Sequence, residues 1–181
     1  MSRVFGPMRQ MGFVVRDLDR ALRYWTETLG VGPFFIIRSL PLERFEYRGK
    51  PSPPPHLTLA IANSGDVQVE LIYQHDDRPS AFLDRLKTVG EGLQHVSSWM
   101  DRAGYDAEIA RLKAAGVPVA HEGWLRGNGP RFAYFGTDET PGGFQYEMSD
   151  VGDPEFAAMG HTIREAALAW DGSQPIRELT L

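Results

Sequence analysis

Apolar residues recur along the chain at two spacings, and the alternation between them predicts its elements. "QMGFVV" opens with the apolar, β-branched content of a strand. Asp17 then stands at a helix N-cap position, followed by Leu18, Leu22, Trp25 and Leu29 at helical spacing, and Gly30 closes the run. "PFFIIR" reads as a second strand. A Pro-rich loop, "GKPSPPP", leads to "HLTLAIAN" and "VQVELIYQ", two strands joined by the turn "NSGD". The order is β-α-β-β-β.

The second half repeats it. "LQHVSSWM" is a strand, and "DRAGYDAEIARLKAAG" is a helix with Tyr105, Ile109 and Leu112 on one face. "VPVAHEG", "RFAYFGTD" and "GFQYEMSD" supply three further strands, with "TPGG" as the last turn. A connecting helix, "RPSAFLDRLKTVG", carries a Ser80 cap and a stripe of Phe82, Leu86 and Val89. The predicted organisation is an α+β chain. Its first module covers 8–75, a linking helix 76–91, a second module 92–150 and a helical tail 151–181. In the tail, Asp153 caps a helix with Pro154 at its first position. Its stripe of Phe156, Met159, Ile163, Ala167 and Trp170 must bury itself on the body or on a second subunit. The tail, His161 included, reads as a packing element.

Composition narrows the function. A chain of 181 residues buries about 70% of the surface its unfolded form exposes. Without cysteine it has neither disulfides nor thiolate chemistry. The net charge of −5 at pH 7 argues against nucleic acid as a main partner. No apolar run is long enough for a membrane helix and the N-terminus is not a secretory signal, so a soluble cytoplasmic protein is expected.

When the halves are aligned, polar residues inside the apolar strands fall into register. Gln10 opens the first strand of one half and His95 holds the matching place in the other; Glu70 and Glu147 lie in the two last strands. Strand side chains alternate faces, so Glu70 groups with Gln68 and Ile72, and Glu147 with Gln145 and Ser149. A carboxylate between Val69 and Leu71 is costly to bury unless it meets solvent, a base or a metal ion. Any one of these residues alone is ordinary. The matched set of four points to a shared site.

"QMGFVVRDLDRALRYWTETLGVGPFF", "VQVELIYQ", "GLQHVSSWM" and "GFQYEMSD" resemble the vicinal-oxygen-chelate superfamily, over about residues 8 to 150. That superfamily contains glyoxalases, methylmalonyl-CoA epimerases, extradiol dioxygenases and bleomycin-resistance proteins. The resemblance implies two βαβββ modules curled around one divalent ion, with Gln10, Glu70, His95 and Glu147 as its ligands. Most relatives have histidine where Gln10 stands. It also implies a frequent homodimer and a small-molecule substrate, a thiol adduct or an acyl-CoA thioester. A metal-assisted lyase or isomerase would take a proton from carbon next to a carbonyl, through an enediolate, with Glu147 as first candidate base and Glu70 as second. One imidazole, one amide and two carboxylates suit Zn, Ni, Co, Mn or Mg without choosing among them.

Two alternatives stay open. A metal-free ligand-sequestering protein could line a pocket with Trp25, Phe34, Phe35, Trp99, Trp124 and Phe132. An extradiol dioxygenase fits less well, because only one of the four positions is histidine. Elsewhere, Trp124 with Arg126 in "GWLRGNGP" marks a loop that could serve as a lid. Glu43 or Glu46 could place a carboxylate in the cavity. His56, His75 and His121 lack matched partners and read as surface or loop residues.

Overall fold

Helices begin where the sequence offers a cap. The Asp17 carboxylate accepts from Arg20 N at 2.9 Å, Ser80 Oγ from Leu83 N at 3.0 Å, Asp101 from Gly104 N at 2.7 Å and Asp153 from Phe156 N at 2.9 Å. The computed structural model describes residues 2–125, 129–136 and 143–180. In chain order the elements are β1 (Gln10–Val14), α1 (Leu18–Arg23), β2 (Phe34–Ile37), β3 (Leu42–Tyr47), β4 (Lys50–Pro51), β5 (Leu57–Ser64), β6 (Val67–Gln74) and α2 (Ala81–Thr88). They continue as β7 (Gly92–Met100), α3 (Arg102–Ala114), β8 (Val119–Leu125), β9 (Arg131–Phe135), β10 (Gln145–Asp150), α4 (Pro154–Leu168) and β11 (Ile176–Glu178). The predicted "TPGG" turn falls mostly outside the described residues. Among them, no helix is long and apolar enough to cross a membrane.

All eleven strands join one open, mixed sheet in the order β11-β2-β5-β6-β1-β7-β10-β9-β8-β3-β4. The two halves meet at an antiparallel seam between β1 and β7, and each of these strands runs parallel to the last strand of its own half. One face is covered by α1 and α3. Leu22 packs there with Ala60, Val69 and Leu71, and Tyr105 and Leu112 pack with Ala133, Phe135 and Met148. The other face is concave and holds a third cluster, which includes Val14, Ile37, Leu59, Ile72, Phe82 and Tyr134.

Two predicted stripes end early. After Arg23 the first helix widens into a π turn over Tyr24–Thr28, where Leu29 N donates to Tyr24 O. The added residue per turn rotates Leu29 off the buried stripe, leaving it 46% exposed. Val89 lies just past the end of α2 and is likewise exposed.

The stretch after β2 departs from the prediction of a plain Pro-rich loop. Strand β3 crosses to the far half and pairs antiparallel with β8, turning back through β4. Only Phe45 in β3 is deeply buried, against the ring of His121 at 5.1 Å. A strand with one buried residue and alternating charges carries no apolar run, so its pattern is silent. The tail differs too. Helix α4 lays Ile163 onto Phe35, Ile37, Leu59 and Ile61, and the chain returns as β11, parallel to β2. Trp170 covers Gly32 so closely that a Cβ there would lie 2.9 Å from the indole.

The crossing of β3 is testable. Phe45→Ala is expected to cost about 3–5 kcal/mol, a fall in Tm of roughly 6–20 °C, because it removes the one deeply buried side chain of β3. A loss below about 1 kcal/mol by chemical denaturation would show that β3 is not held there.

Candidate functional site

The four residues singled out from the sequence come from the four central strands, which are neighbours in the order β6-β1-β7-β10. Their side chains share the concave face and are almost fully buried, with His95 at 0% exposure. His95 Nε2 lies 3.3 Å from Gln10 Oε1, 3.5 Å from Glu70 Oε2 and 3.3 Å from Glu147 Oε2. Space for the ring comes from Gly12, which pairs with Glu70 on one side and with His95 on the other. A Cβ on Gly12 would sit 1.8 Å from His95 Cε1.

A relay of amides sets which nitrogen carries the proton. The register of β1 and β7 slips between Gly12 and Phe13, so Gln94 is an extra residue in β7. This bulge turns Gln94 toward the imidazole beside it. The Gly136 carbonyl accepts from Gln145 Nε2 at 3.4 Å, Gln145 Oε1 accepts from Gln94 Nε2 at 2.8 Å, and Gln94 Oε1 lies 2.8 Å from His95 Nδ1. A backbone carbonyl can only accept, so each step has one direction, and Nδ1 must be the donor. Gln10 is oriented likewise, its Nε2 donating to Gln68 Oε1 at 2.6 Å. With Nδ1 committed to Gln94, the other ring nitrogen, Nε2, faces three oxygens.

Such a group of acceptors holds together only with positive charge among them, either a proton or a metal ion. Glu147 Oε2 has no hydrogen-bond partner although it is buried. The separations from Nε2 are of the size found between ligand atoms around one small ion, roughly 3.0–3.5 Å for metal–ligand bonds of about 2.1 Å. The donors, one imidazole and three hard oxygens, also fit a divalent ion. Among the described residues, however, no group of three or more histidine and carboxylate side chains forms a ready cage.

The two carboxylates differ. Burial pushes Glu70 up to about 7; His95 opposes this and Glu147 reinforces it. Burial acts upward on Glu147 as well, but His95 and hydrogen bonds from Ser97 and Ser149 outweigh it and hold the group below the ordinary carboxylate range. Ser97 lies directly opposite Glu147 in the register of β7 and β10. Tyr134 stands edge-on to His95 at 4.8 Å. Burial, then the charges of Glu147 and Glu70, raise its phenol well above the usual value, so it stays a neutral donor.

The cluster forms one end of a cavity of about 460 Å³, within the roughly 300–1,000 Å³ typical of small-molecule sites. Trp99 and Phe132 line it, whereas Trp25 and Phe34 pack under α1. Phe35 belongs to the concave cluster. Trp124 lies in β8 with the Arg44 guanidinium 4.2 Å from its ring, and Arg126 lies outside the described residues. Neither Glu43 nor Glu46 lines the cavity, and Glu46 pairs with Arg44. His56 and His75 occupy loops and stack on each other at 4.3 Å.

The surface reading of His121 is corrected. It is a strand residue of β8 with 0% exposure, boxed by Phe45, Phe82, Phe132 and Tyr134. Its Nδ1 accepts from Ala81 N at 3.1 Å, and burial, then the charge of His95, lower it to about 3. Sequence reasoning also passed over Gln94, Ser97, Tyr134 and Gly12. A hint lay in "GLQHV", where two adjacent polar residues break the alternation a regular strand would keep.

Two outcomes follow for the metal-free protein. Glu70 titrates near 4.5 when unfolded and near 7 when folded. Its contribution to stability is therefore full below the lower value and is lost as pH rises through the higher one. Between about pH 5 and pH 8 the chelator-treated wild type should lose Tm relative to Glu70→Gln; parallel curves would contradict the assignment. Gly12→Ala would ordinarily favour a strand. Here, thermal or urea unfolding should show a loss of about 1–3 kcal/mol, because the methyl meets the imidazole.

Residues 9–135 match the sequence profile of the Glyoxalase/Bleomycin resistance protein/Dioxygenase superfamily. No curated protein matches the chain in sequence. Among solved structures, methylmalonyl-CoA epimerase from Mycobacterium tuberculosis superposes with a TM-score of 0.58 at 20% identity, over 87% of this chain and 95% of that one. A hypothetical protein from Bacillus halodurans C-125 gives 0.52 at 16% identity, over 80% and 93%. A Streptomyces coelicolor methylmalonyl-CoA epimerase variant in complex with 2-nitronate-propionyl-CoA gives 0.51 at 19% identity, over 79% and 95%. These likenesses are likenesses of fold. The profile match covers most of the chain and the curled, mixed sheet agrees with it: the chain belongs to the glyoxalase/bleomycin resistance protein/dioxygenase superfamily.

Proposed function

We propose that the protein is a divalent-metal-dependent isomerase or lyase that moves a proton at the carbon next to a carbonyl of a small substrate. The observation that carries this reading is the buried Nε2 of His95 facing the oxygens of Gln10, Glu70 and Glu147, an arrangement that calls for a cation. Those four residues would hold the ion. When bound, it would polarise the substrate carbonyl and offset the negative charge of the enediolate.

The chain's own groups divide the remaining work. Glu70 takes and returns the proton, since a general base serves best when its proton affinity lies near the working pH. This reverses the order suggested by the sequence, and the reason is the serine pair: with Ser97 and Ser149 donating to it, Glu147 is better suited to remain a fixed anion. The amide relay through Gln94 and Gln145 keeps the His95 ring in one orientation, as partners behind a ligand histidine do. Tyr134 donates a hydrogen bond at the rim of the cluster, and the apolar walls keep water away from the exchanging proton.

The mostly apolar lining favours one second reading, a metal-free ligand-sequestering protein. That protein would keep its ligand affinity after chelation, whereas the enzyme would lose its activity.

The test is metal content by elemental analysis after incubation with Zn, Ni, Co, Mn or Mg, combined with solvent-deuterium exchange into hemithioacetals and acyl-CoA thioesters followed by NMR. The wild type should hold close to one ion and exchange the α-proton. Glu147→Ala should lose both, and Glu70→Gln should lose exchange by about 10²–10⁴-fold while retaining the ion. Wild type that holds none of these ions would sink the enzymatic reading, and full exchange by Glu70→Gln would remove that residue from the role of base.

A further inference from the structure

The cavity extends beyond the polar cluster, and much of the rest of its lining is apolar, with Arg9, Asn63, Asp66, Arg131, His161 and Arg164 also bordering it. One wall is Leu57, Leu59 and Ile61 of β5, and Phe82 of α2 closes the floor. The roof is α4, which presents Phe156 and Met159 to the cavity from the turns preceding its buried anchor Ile163. Asp153 caps the first turn of the helix, and Arg164, toward its far end, holds it to Asp66, in the turn between β5 and β6, at 2.9 and 3.1 Å. Beyond it, Trp170 rests on Gly32 and β11 adds to β2.

Three observations make this roof more than packing. Phe156 and Met159 are only partly buried and border the cavity, Met159 also touching the concave cluster, while Ile163, one turn on, is 1% exposed, so the inner stripe of the helix is sealed at Ile163 and meets open space before it. The cavity joins that apolar space directly to Glu70 and Glu147. Finally, α4 lies outside residues 9–135, the part that matches the family profile.

We propose that the space beneath α4 receives the apolar chain of the substrate, whose two neighbouring oxygens meet the cluster at Glu70, His95 and Glu147, and that Phe156 and Met159 limit the length of that chain. The substrate class is thus a carbonyl compound with a hydrocarbon tail, and α4 is a specificity element. The head-group half of this assignment rests on the metal-site reading above; the tail half does not.

Calorimetric titration with two homologous series separates the halves. Zinc-loaded protein is titrated with straight-chain 2-oxo acids from pyruvate upward, and chelator-treated protein with straight-chain 1-alkanols, which carry no chelating head. In both series Kd should tighten about three- to fourfold per added methylene until the space is full. Met159→Trp, which fills the chamber, should weaken the longer members at least about tenfold and leave pyruvate unchanged, the tenfold corresponding to loss of roughly two buried methylenes. Phe156→Ala should shift the preferred length upward, an effect that a poorly folded protein cannot imitate. Affinity that does not change with length in either series, or longer members unaffected by both substitutions, overturns the proposal. Length dependence among the alkanols with no gain from zinc among the 2-oxo acids would support the chamber and overturn the metal-dependent function instead.

Discussion

Two carboxylates leaning on one imidazole, inside an otherwise apolar sheet, form the constraint around which the rest of this molecule is arranged. A buried ion without compensation costs several kcal/mol. Here the compensation is distributed over the four central strands. Gln10 and Gln68 pair across β1 and β6, the relay from Gly136 through Gln145 and Gln94 reaches His95, and Ser97 and Ser149 serve Glu147. These supports sit largely on strands rather than on loops. Their geometry is therefore fixed by the same ladder hydrogen bonds that hold the two halves together, and the site is as stiff as the seam between β1 and β7.

That stiffness is chemically useful because the two carboxylates are made unlike by their surroundings. Glu147 has hydroxyl donors and keeps its charge, while Glu70 is flanked by Val69 and Leu71 and has its proton affinity raised by burial. Related environments that push two acids apart in this way give one fold both an anchor and a proton carrier. The apolar reach of the cavity contributes by the same physics, since a drier site strengthens each of these interactions.

Much of this was legible in the sequence. Caps at Asp17, Ser80, Asp101 and Asp153 are local chemistry, readable from a few adjacent residues, and the strands of both halves announced themselves by apolar runs. The four polar positions were legible because duplication set them in register. What escaped depends on contacts between distant segments. The pairing of β3 with β8 joins residues that no local pattern relates, and Phe45 is the one deeply buried side chain that β3 brings to it. The bulge at Gln94 is a matter of register, which a strand pattern does not encode. His121 was misread because a histidine among aromatic rings looks, as text, like any unpartnered histidine. The order of the two glutamates turned on serines beneath one of them, and the stripe of α4 told that something was covered without telling that half of it faces a cavity.

The ends of the sheet carry a consequence for how this molecule meets others of its kind. One margin is β11, three residues long, and the other is β4, two residues long and closed by Pro51, which has no amide hydrogen to offer. Long, flat margins recruit further strands; short ones interrupted by proline do not. The chain has spent its own tail and its own crossing hairpin to blunt both margins. Growth of the sheet from one copy into the next is accordingly disfavoured at β11 and at β4, which leaves the helical and loop-bearing faces as the better ground for contact between copies.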